Sequence, residues 1–377
     1  MNFDIGEEEK NLCERIKGLF TVDGGADLIH LENDQPEVVR RATLRWAASL
    51  AEAGYLAPGV LNGRNSVSLV VMQESLAALA PSLFLSVEVS TRIFGRLVAV
   101  YGTSEQKDGI LSNLTSGRII GTTALSEEGM NIENPPLATT GVSSAEGFRV
   151  SGSKSHVVNG PIADWIAAAG TIDGETGTSF FLIEKSRKGL VTGNRLATLG
   201  YTGAAISPVH FEGCPVPSHH VIRPEDGSDA LKMVRLWEDQ VLTAATLGLM
   251  RRSFDVAVTY AKTHRSGGKP IIAYQEVGFK LAEMLTLFQT AQLLAYRAAW
   301  MSESGDRETD ALAHCAKVFC AEAAEKIASE SLQILGGNGY ILGNPAEAGY
   351  RDAKYLQIAG TSTEISRMKI GDAVLAY

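Results

Sequence analysis

The sequence predicts a mainly helical protein interrupted by a small β domain, in the order helical, β, helical. Three observations predict it. The chain has 377 residues, more than one ordinary hydrophobic core accommodates, so two or three domains are expected. Up to about Ser116 apolar residues recur at spacings of three and four, the period of a half-buried helix. Between Gly117 and about Pro224 the texture changes to short β-type runs broken by turn residues, and after Asp229 long helical periodicity returns. The expected division is 1–117, 118–224 and 225–377.

In the first part, Val38 to Ala53 and Val67 to Ala80 carry the helical spacing, Pro81 and Ser82 interrupt, and a further apolar segment runs from Leu83 to Tyr101. These read as a helical bundle. The middle part has β-type runs at Ile119–Leu125, Phe148–Val150, Ser155–Val158, Trp165–Thr171, Ser179–Ile183 and Val209–Phe211, which fit a compact barrel or sandwich. Gly227, Ser228 and Asp229 offer a helix N-cap. Helices are expected next over Leu231–Thr263, Gln275–Met301 and Thr309–Leu335, long enough to pack as an antiparallel bundle.

Composition narrows the function classes. Hydrophobic residues make up 45% and charged ones 20%, as in a folded soluble protein. The net charge is −9 with no Lys/Arg cluster, which argues against a nucleic-acid partner. Cys13, Cys214, Cys315 and Cys320 lack metal or disulfide spacing, and His219 with His220 lies in a Pro-flanked turn without further ligands, so no metal site is expected. The first ten residues are acidic and lack the apolar stretch of a signal peptide. No apolar run approaches the roughly 18 residues of a membrane span, so a cytoplasmic location and no membrane partner are expected.

The chemistry is carried by short segments. QILGGNGY (Gln333 to Tyr340) is followed by YRDAK (Tyr350 to Lys354) and AGTSTEI (Ala359 to Ile365). Gly336 and Gly337 permit a tight turn and close backbone approach, as the ribityl-pyrophosphate arm of a cofactor requires. Upstream stand YGTSEQK (Tyr101 to Lys107), TALSEEG (Thr123 to Gly129), KSHVVNG (Lys154 to Gly160) and HRSGGKPI (His264 to Ile271) with Gln275 after it. Together they resemble the acyl-CoA dehydrogenase family of flavoproteins over nearly the whole chain. The resemblance implies a helical domain, a middle β domain and a C-terminal four-helix bundle, with FAD as cofactor and a dimer or dimer-of-dimers tetramer.

Residue by residue, Ser126 falls where the family contacts the flavin through Thr or Ser. The loop beyond it departs: Met130 to Glu133 (MNIE) replaces a Gly-Ser-Asp ending, with Ile132 where a serine meets the substrate. His156 occupies the position of a Trp beside the flavin ring, and Val158 that of a Thr. His264 replaces an Arg and Gly267 a Phe in a segment that reaches a neighbouring subunit's FAD. Arg265 stands one place away, and its guanidinium is the better pyrophosphate partner. Gln275, Gln333, Gly336, Gly337, Ser362 and Glu364 also match positions that bind FAD in relatives.

The family's usual catalytic glutamate is absent: an ungapped match from RDAK puts Gly360 there, with Ala359 beside it. A minority class that includes isovaleryl-CoA and prolyl-carrier-protein dehydrogenases carries the base instead on a C-terminal-domain helix, ten residues before the glycine of an LGLM-like stretch. Leu247 to Met250 reads LGLM, and Glu238 stands ten residues before Gly248. The periodicity singles out the same residue: Val234, Glu238, Val241, Ala245 and Gly248 recur at steps of three and four, which puts the carboxylate on an apolar stripe. A charge there is costly unless paired or tuned for proton transfer. Asp239 follows where relatives have Arg, at a place that touches the thioester carrier.

The resemblance implies α,β-dehydrogenation of an acyl thioester, on CoA or an acyl-carrier protein. Glu238 would take the α-proton, flavin N5 the β-hydride, and the Gly360 N–H would help stabilise the enolate oxygen. Electron-transfer flavoprotein is the family's usual acceptor. A flavin oxidase, a dehydrogenase acting at a more remote position and a non-catalytic relative stay open at this point, since fold does not fix reaction.

Overall fold

The computed structural model of the protein describes residues 6–22, 28–31, 33–61, 66–129, 137–224, 229–302 and 308–375. Its first part consists of α1 (Glu7–Val22), α2 (Pro36–Glu52), α3 (Ser66–Leu79), α4 (Pro81–Glu88), α5 (Arg96–Tyr101) and α6 (Ser104–Thr115). Pro81 both stops α3 and opens α4, because at the first helical position its missing N–H is no loss. A π-helical stretch, Val89–Gly95, joins α4 to α5 without a break. Beside this widened turn lies a buried polar cluster. Glu88 accepts from the Tyr55 hydroxyl at 2.7 Å and from Gln73 at 2.5 Å, and Arg92 lies 3.5 Å from it and over the Tyr55 ring. Mutual pairing makes those buried charges tolerable.

The YGTSEQK segment has a local structural reason. Thr103 and Gln106 form a reciprocal cap on α6, and the Gln106 amide also donates to the His219 carbonyl at 2.8 Å. One side chain therefore starts a helix and ties it to the β part.

The middle part holds β1 (Gly121–Ala124), β2 (Thr140–Ser144), β3 (Gly147–Val158), β4 (Trp165–Ile172), β5 (Ser179–Glu184), β6 (Leu190–Thr192), β7 (Ile206–Val216) and β8 (Val221–Ile222). They form one mixed sheet in the order β6-β7-β3-β2-β4-β5-β8, with β1 parallel to β4. The two runs read separately at Phe148–Val150 and Ser155–Val158 are one strand, whose register against β7 shifts between Val150 and Gly152 and again between Lys154 and Val157. Those irregularities break the period-2 alternation and hid the strand's continuity.

The last part is α7 (Ala230–Thr263), a hairpin of β9 (Arg265–Ser266) and β10 (Lys269–Pro270), then α8 (Gln275–Met301), α9 (Glu308–Leu335), α10 (Pro345–Ile358) and α11 (Thr363–Leu375). The Asp229 side chain caps α7, accepting from the Lys232 N–H at 3.0 Å; Gly227 and Ser228 lie outside the described residues. Gly248 marks where α7 crosses α3: a Cβ there would stand 2.5 Å from Ala77 Cβ and 2.7 Å from the Ala78 nitrogen. The same interface is locked by Glu74, buried on α3, which accepts from Arg251 Nε at 2.7 Å, Gln292 at 2.9 Å and the Tyr296 hydroxyl at 3.2 Å.

The first and last parts share one hydrophobic core, joining residues such as Leu76, Phe84 and Leu97 to Val241, Leu249 and Ile327, whereas Val150, Ile166, Phe181 and Phe211 belong to a second core inside the sheet. The α7 helix runs through the shared core, and its first turns lie against the β part. Among the described residues no helix is long and apolar enough to cross a membrane, and no group of three metal-ligating side chains occurs.

Candidate active site

Glu238 sits two turns into α7, between the buried Val234 and Val241, and its carboxylate keeps 25% of its surface exposed. The exposed part is what a base needs, and the apolar neighbours on both sides are what the periodicity predicted. The loop after α10 comes to the same place. Gly360 has φ +66°, and a Cβ built on it would stand 2.5 Å from Asp239 Oδ1, 2.8 Å from Leu242 and 3.5 Å from the Glu238 Cγ. An L side chain there would carry left-handed backbone strain and push the Asp239 and Leu242 side chains aside. Glu238 and Gly360, 122 residues apart in sequence, are therefore neighbours. Among the described residues nothing accepts a hydrogen bond from the Gly360 N–H.

Two buried groups hold this loop. Asp239 is 2% exposed and accepts from the Thr361 N–H at 2.8 Å. Lys317 on α9, wholly buried, donates to the carbonyls of Leu356 at 2.8 Å and Ala359 at 3.0 Å. Burial pushes the Asp239 carboxyl up to about 6, against the pull of the Lys317 charge and the Thr361 bonds. Burial likewise lowers the Lys317 ammonium. Helical geometry turns Asp239 about 100° from Glu238 and into the loop, where it holds the Thr361 N–H.

Arg235, one turn before Glu238, connects the base to the β part. Its Nη1 is 3.1 Å from Glu238 Oε2, and its Nη2 is 3.4 Å from Ser126 Oγ. The TALSEEG loop is itself anchored: Lys154 bonds Glu127 at 2.7 Å and the Leu125 carbonyl at 3.1 Å, and Glu127 also receives the Ala138 and Thr139 N–H groups. The Ser155 N–H bonds the Ser126 carbonyl at 3.0 Å, setting the end of β3 beside that loop. There His156 is exposed and Val158 is half-buried against the helical core. Ser126, Arg235, Glu238 and Gly360 are thus linked by direct contacts, and His156 and Val158 follow Ser155 on the strand that borders Ser126. Ile132 and the rest of the MNIE stretch lie outside the described residues.

Ser362 and Glu364 follow the loop into α11, where the Ser362 hydroxyl accepts from the Ile365 N–H at 3.4 Å and Glu364 is exposed in the first turn. Their immediate role is the start of that helix.

The remaining expected cofactor residues form a second group. Arg265 and Gln275 are exposed on and after the β9–β10 hairpin, where Arg265 Nη2 bonds the Gly268 carbonyl at 2.7 Å. Gln333, Gly336 and Gly337 are exposed at the end of α9; Gly336 has φ +58°, and a Cβ on either glycine would meet no atom within 4 Å. The two stretches are joined through Tyr260, whose hydroxyl receives the Asn338 amide at 2.8 Å and whose ring stacks on His264. Within one chain no hydrogen bond or ion pair among the described residues links this group to the Glu238 cavity.

Sequence reasoning missed Arg235, Lys317, Tyr355 and the Lys154–Glu127 pair. Tyr355 packs against Tyr201 in a tilted pair with 5.0 Å between ring centroids, and burial with the nearby Glu238 charge raises its hydroxyl. RDAK also proves partly architectural: Arg351 bonds the Leu199 carbonyl and Asp352 the Tyr201 N–H, fastening the β part to α10. The available signal for Arg235 was its i−3 position on the helix face of Glu238.

A β domain between two helical parts, with a helix-borne carboxylate against a glycine loop, defines a flavoprotein-dehydrogenase type of architecture, and the comparisons agree. Residues 230–375 match the acyl-CoA dehydrogenase C-terminal domain, and residues 122–214 the acyl-CoA dehydrogenase middle domain. The acyl-CoA dehydrogenase of Bacillus subtilis (strain 168) is 31% identical over 83% of both chains. The isovaleryl-CoA dehydrogenase of Oryza sativa is 32% identical over 80% of this chain and 74% of that one. The solved FAD complex of PigA, 21% identical, shares the fold with a TM-score of 0.87 over 99% of each chain. The protein belongs to the acyl-CoA dehydrogenase family and is an FAD-dependent enzyme of it. The residues present fit that cofactor: the uncovered Gly336–Gly337 turn leaves room for a pyrophosphate arm, and the exposed face of β3 at His156 leaves room for a ring.

Proposed function

We propose that the protein catalyses α,β-dehydrogenation of an acyl thioester, with Glu238 as the base in place of a glutamate on the 359–361 loop. The observation that carries this reading is the complementarity of Gly360 and Glu238. A side chain on Gly360 would run into the Asp239 carboxylate and Leu242, and Glu238 rises from α7 beside the same position, its Cγ 3.5 Å away. Glu238 takes the α-proton, and the Gly360 N–H, with no acceptor of its own, points to half of an oxyanion site for the enolate oxygen. Bound FAD supplies the acceptor for the β-hydride and its electron pair. Ser126, His156 and Val158 line the flavin side of the cavity in this reading, and Ser362 and Glu364 lie along it. Arg265, Gln275, Gln333, Gly336 and Gly337, being remote from it, serve a flavin bound across a subunit boundary.

That last assignment requires a dimer or a tetramer. It is supported by large apolar side chains left exposed near the second group, Phe279 on α8 and Tyr340, Ile341 and Leu342 after the glycine turn, more than a free surface ordinarily carries in one place. We also carry forward the division at residues 117 and 224, a cytoplasmic location, electron-transfer flavoprotein as acceptor, and either CoA or an acyl-carrier protein as the thioester carrier. The test is flavin bleaching: purified Glu238→Gln retains the flavin absorption band but no longer bleaches with any acyl thioester that bleaches the wild type. Unchanged bleaching in that variant removes Glu238 from the mechanism.

A further inference from the structure

The Arg235 guanidinium is buried beyond what its partners justify. Its side chain is 8% exposed, yet it makes one single-pronged contact to Glu238 at 3.1 Å and one long contact to Ser126 at 3.4 Å, and its buried Nε has no hydrogen-bond partner. A guanidinium offers five donors in a planar fork suited to a two-pronged carboxylate contact. Among the described residues, therefore, most of that fork has no protein partner to offset its burial.

The proton transfer makes the imbalance worse. Once Glu238 holds the α-proton it is neutral, its charge has moved onto the substrate, and Arg235 has lost its one carboxylate partner among the described residues. The other charges nearby do not correct this. Lys154 is matched by Glu127, and Lys317 faces the Asp239 carboxylate. Arg96 adds a further cation, lying 4.5 Å over the ring of Trp237, the residue before Glu238, and among the described residues no carboxylate pairs with it. An anion brought by the substrate resolves both problems, since it occupies the free donors of Arg235 and keeps that cation paired while Glu238 is neutral.

We infer that Arg235 is a specificity residue that receives a carboxylate carried on the acyl group, so that the preferred substrate is a monothioester of a dicarboxylic acid with its free carboxylate a few bonds from the reacting carbons. The inference rests on the dehydrogenation reading for the site but is tested separately from it. The probes are length-matched CoA esters, glutaryl against pentanoyl and succinyl against butyryl, offered to the FAD-loaded full chain. Turnover is read as flavin bleaching, and binding is read on Glu238→Gln, which does not turn over. The carboxylate-bearing member of each pair is expected to bind and react roughly 10- to 100-fold better. Arg235→Gln brings that ratio to one or below, whatever it does to the absolute rates, and Arg235→Lys retains part of the preference. A wild-type ratio near one overturns the inference, whether or not the Gln variant folds. So does an Arg235→Gln variant that slows both members of a pair equally, because that assigns Arg235 only to orienting Glu238. If no ester bleaches the wild-type flavin but the binding ratio favours the carboxylate, the dehydrogenation reading fails and the Arg235 inference stands.

Discussion

Gly336 in the 336–337 turn and Gly360 in the 359–361 loop share a left-handed backbone, at φ +58° and +66°, yet their surroundings are opposite. Around Gly336 and Gly337 nothing lies within 4 Å of an added Cβ, whereas at Gly360 three groups of α7 already crowd that position. The first glycines are free for something that approaches from outside; the last is required by what is packed inside. A ligand-binding glycine keeps its value in a contiguous motif, which is why QILGGNGY was legible. A packing glycine acquires its meaning from residues 122 positions away.

This contrast can be broken or sharpened by four measurements. The largest effect is expected at the packed site: Glu238→Gln should lower the bleaching rate by about 10²- to 10⁴-fold, the usual range for a lost general base, with FAD content unchanged. Next, Gly360→Ala should destabilise the protein by about 2–4 kcal/mol, combining left-handed strain with overpacking against Asp239 and Leu242; a denaturant midpoint equal to wild type would show that α7 yields easily. Asp239→Asn tests how the loop is held. The folded-state pKa of Asp239 is raised to about 6, so the folded protein binds the extra proton between the unfolded value and about 6. Stability from this group therefore falls as pH rises from about 4 to 6, on the order of 2 kcal/mol. The Asn variant should lack that slope when unfolding is followed at pH 4.5 and 7. The smallest effect belongs to the open turn: Gly337→Ala should shift the stability of the apoprotein by less than about 0.5 kcal/mol, while FAD affinity, measured by fluorescence, falls. Equal damage to stability at Gly337 and Gly360 would erase the distinction.

How much was legible varied by element for identifiable reasons. The bundle helices were read almost to the residue, because Leu231–Thr263, Gln275–Met301 and Thr309–Leu335 carry long periodicity and end in turn residues; the structure begins the first at Ala230 and the third at Glu308. The strands β2, β6 and β8 were not read. They are two to five residues long, too short to show a period. Glu238 was found through its stripe and its spacing to Gly248, and the close α3 contact at that glycine gives the spacing a structural cause. Arg235 and Lys317 were missed because a lone basic residue on a helix is ordinarily solvated, and only burial reveals that these are not.

By itself the sequence determined the helical, β, helical order, the flavin segments and the candidate base, since each is encoded by local period or by a contiguous motif. The tertiary structure alone decided that Asp239 turns into the loop, that Gly360 is packed against the side chains of α7, and that the segments proposed to bind the cofactor fall into two groups. Those properties depend on which distant atoms share a space, and pairwise distance between residues remote in sequence is what a linear pattern does not carry.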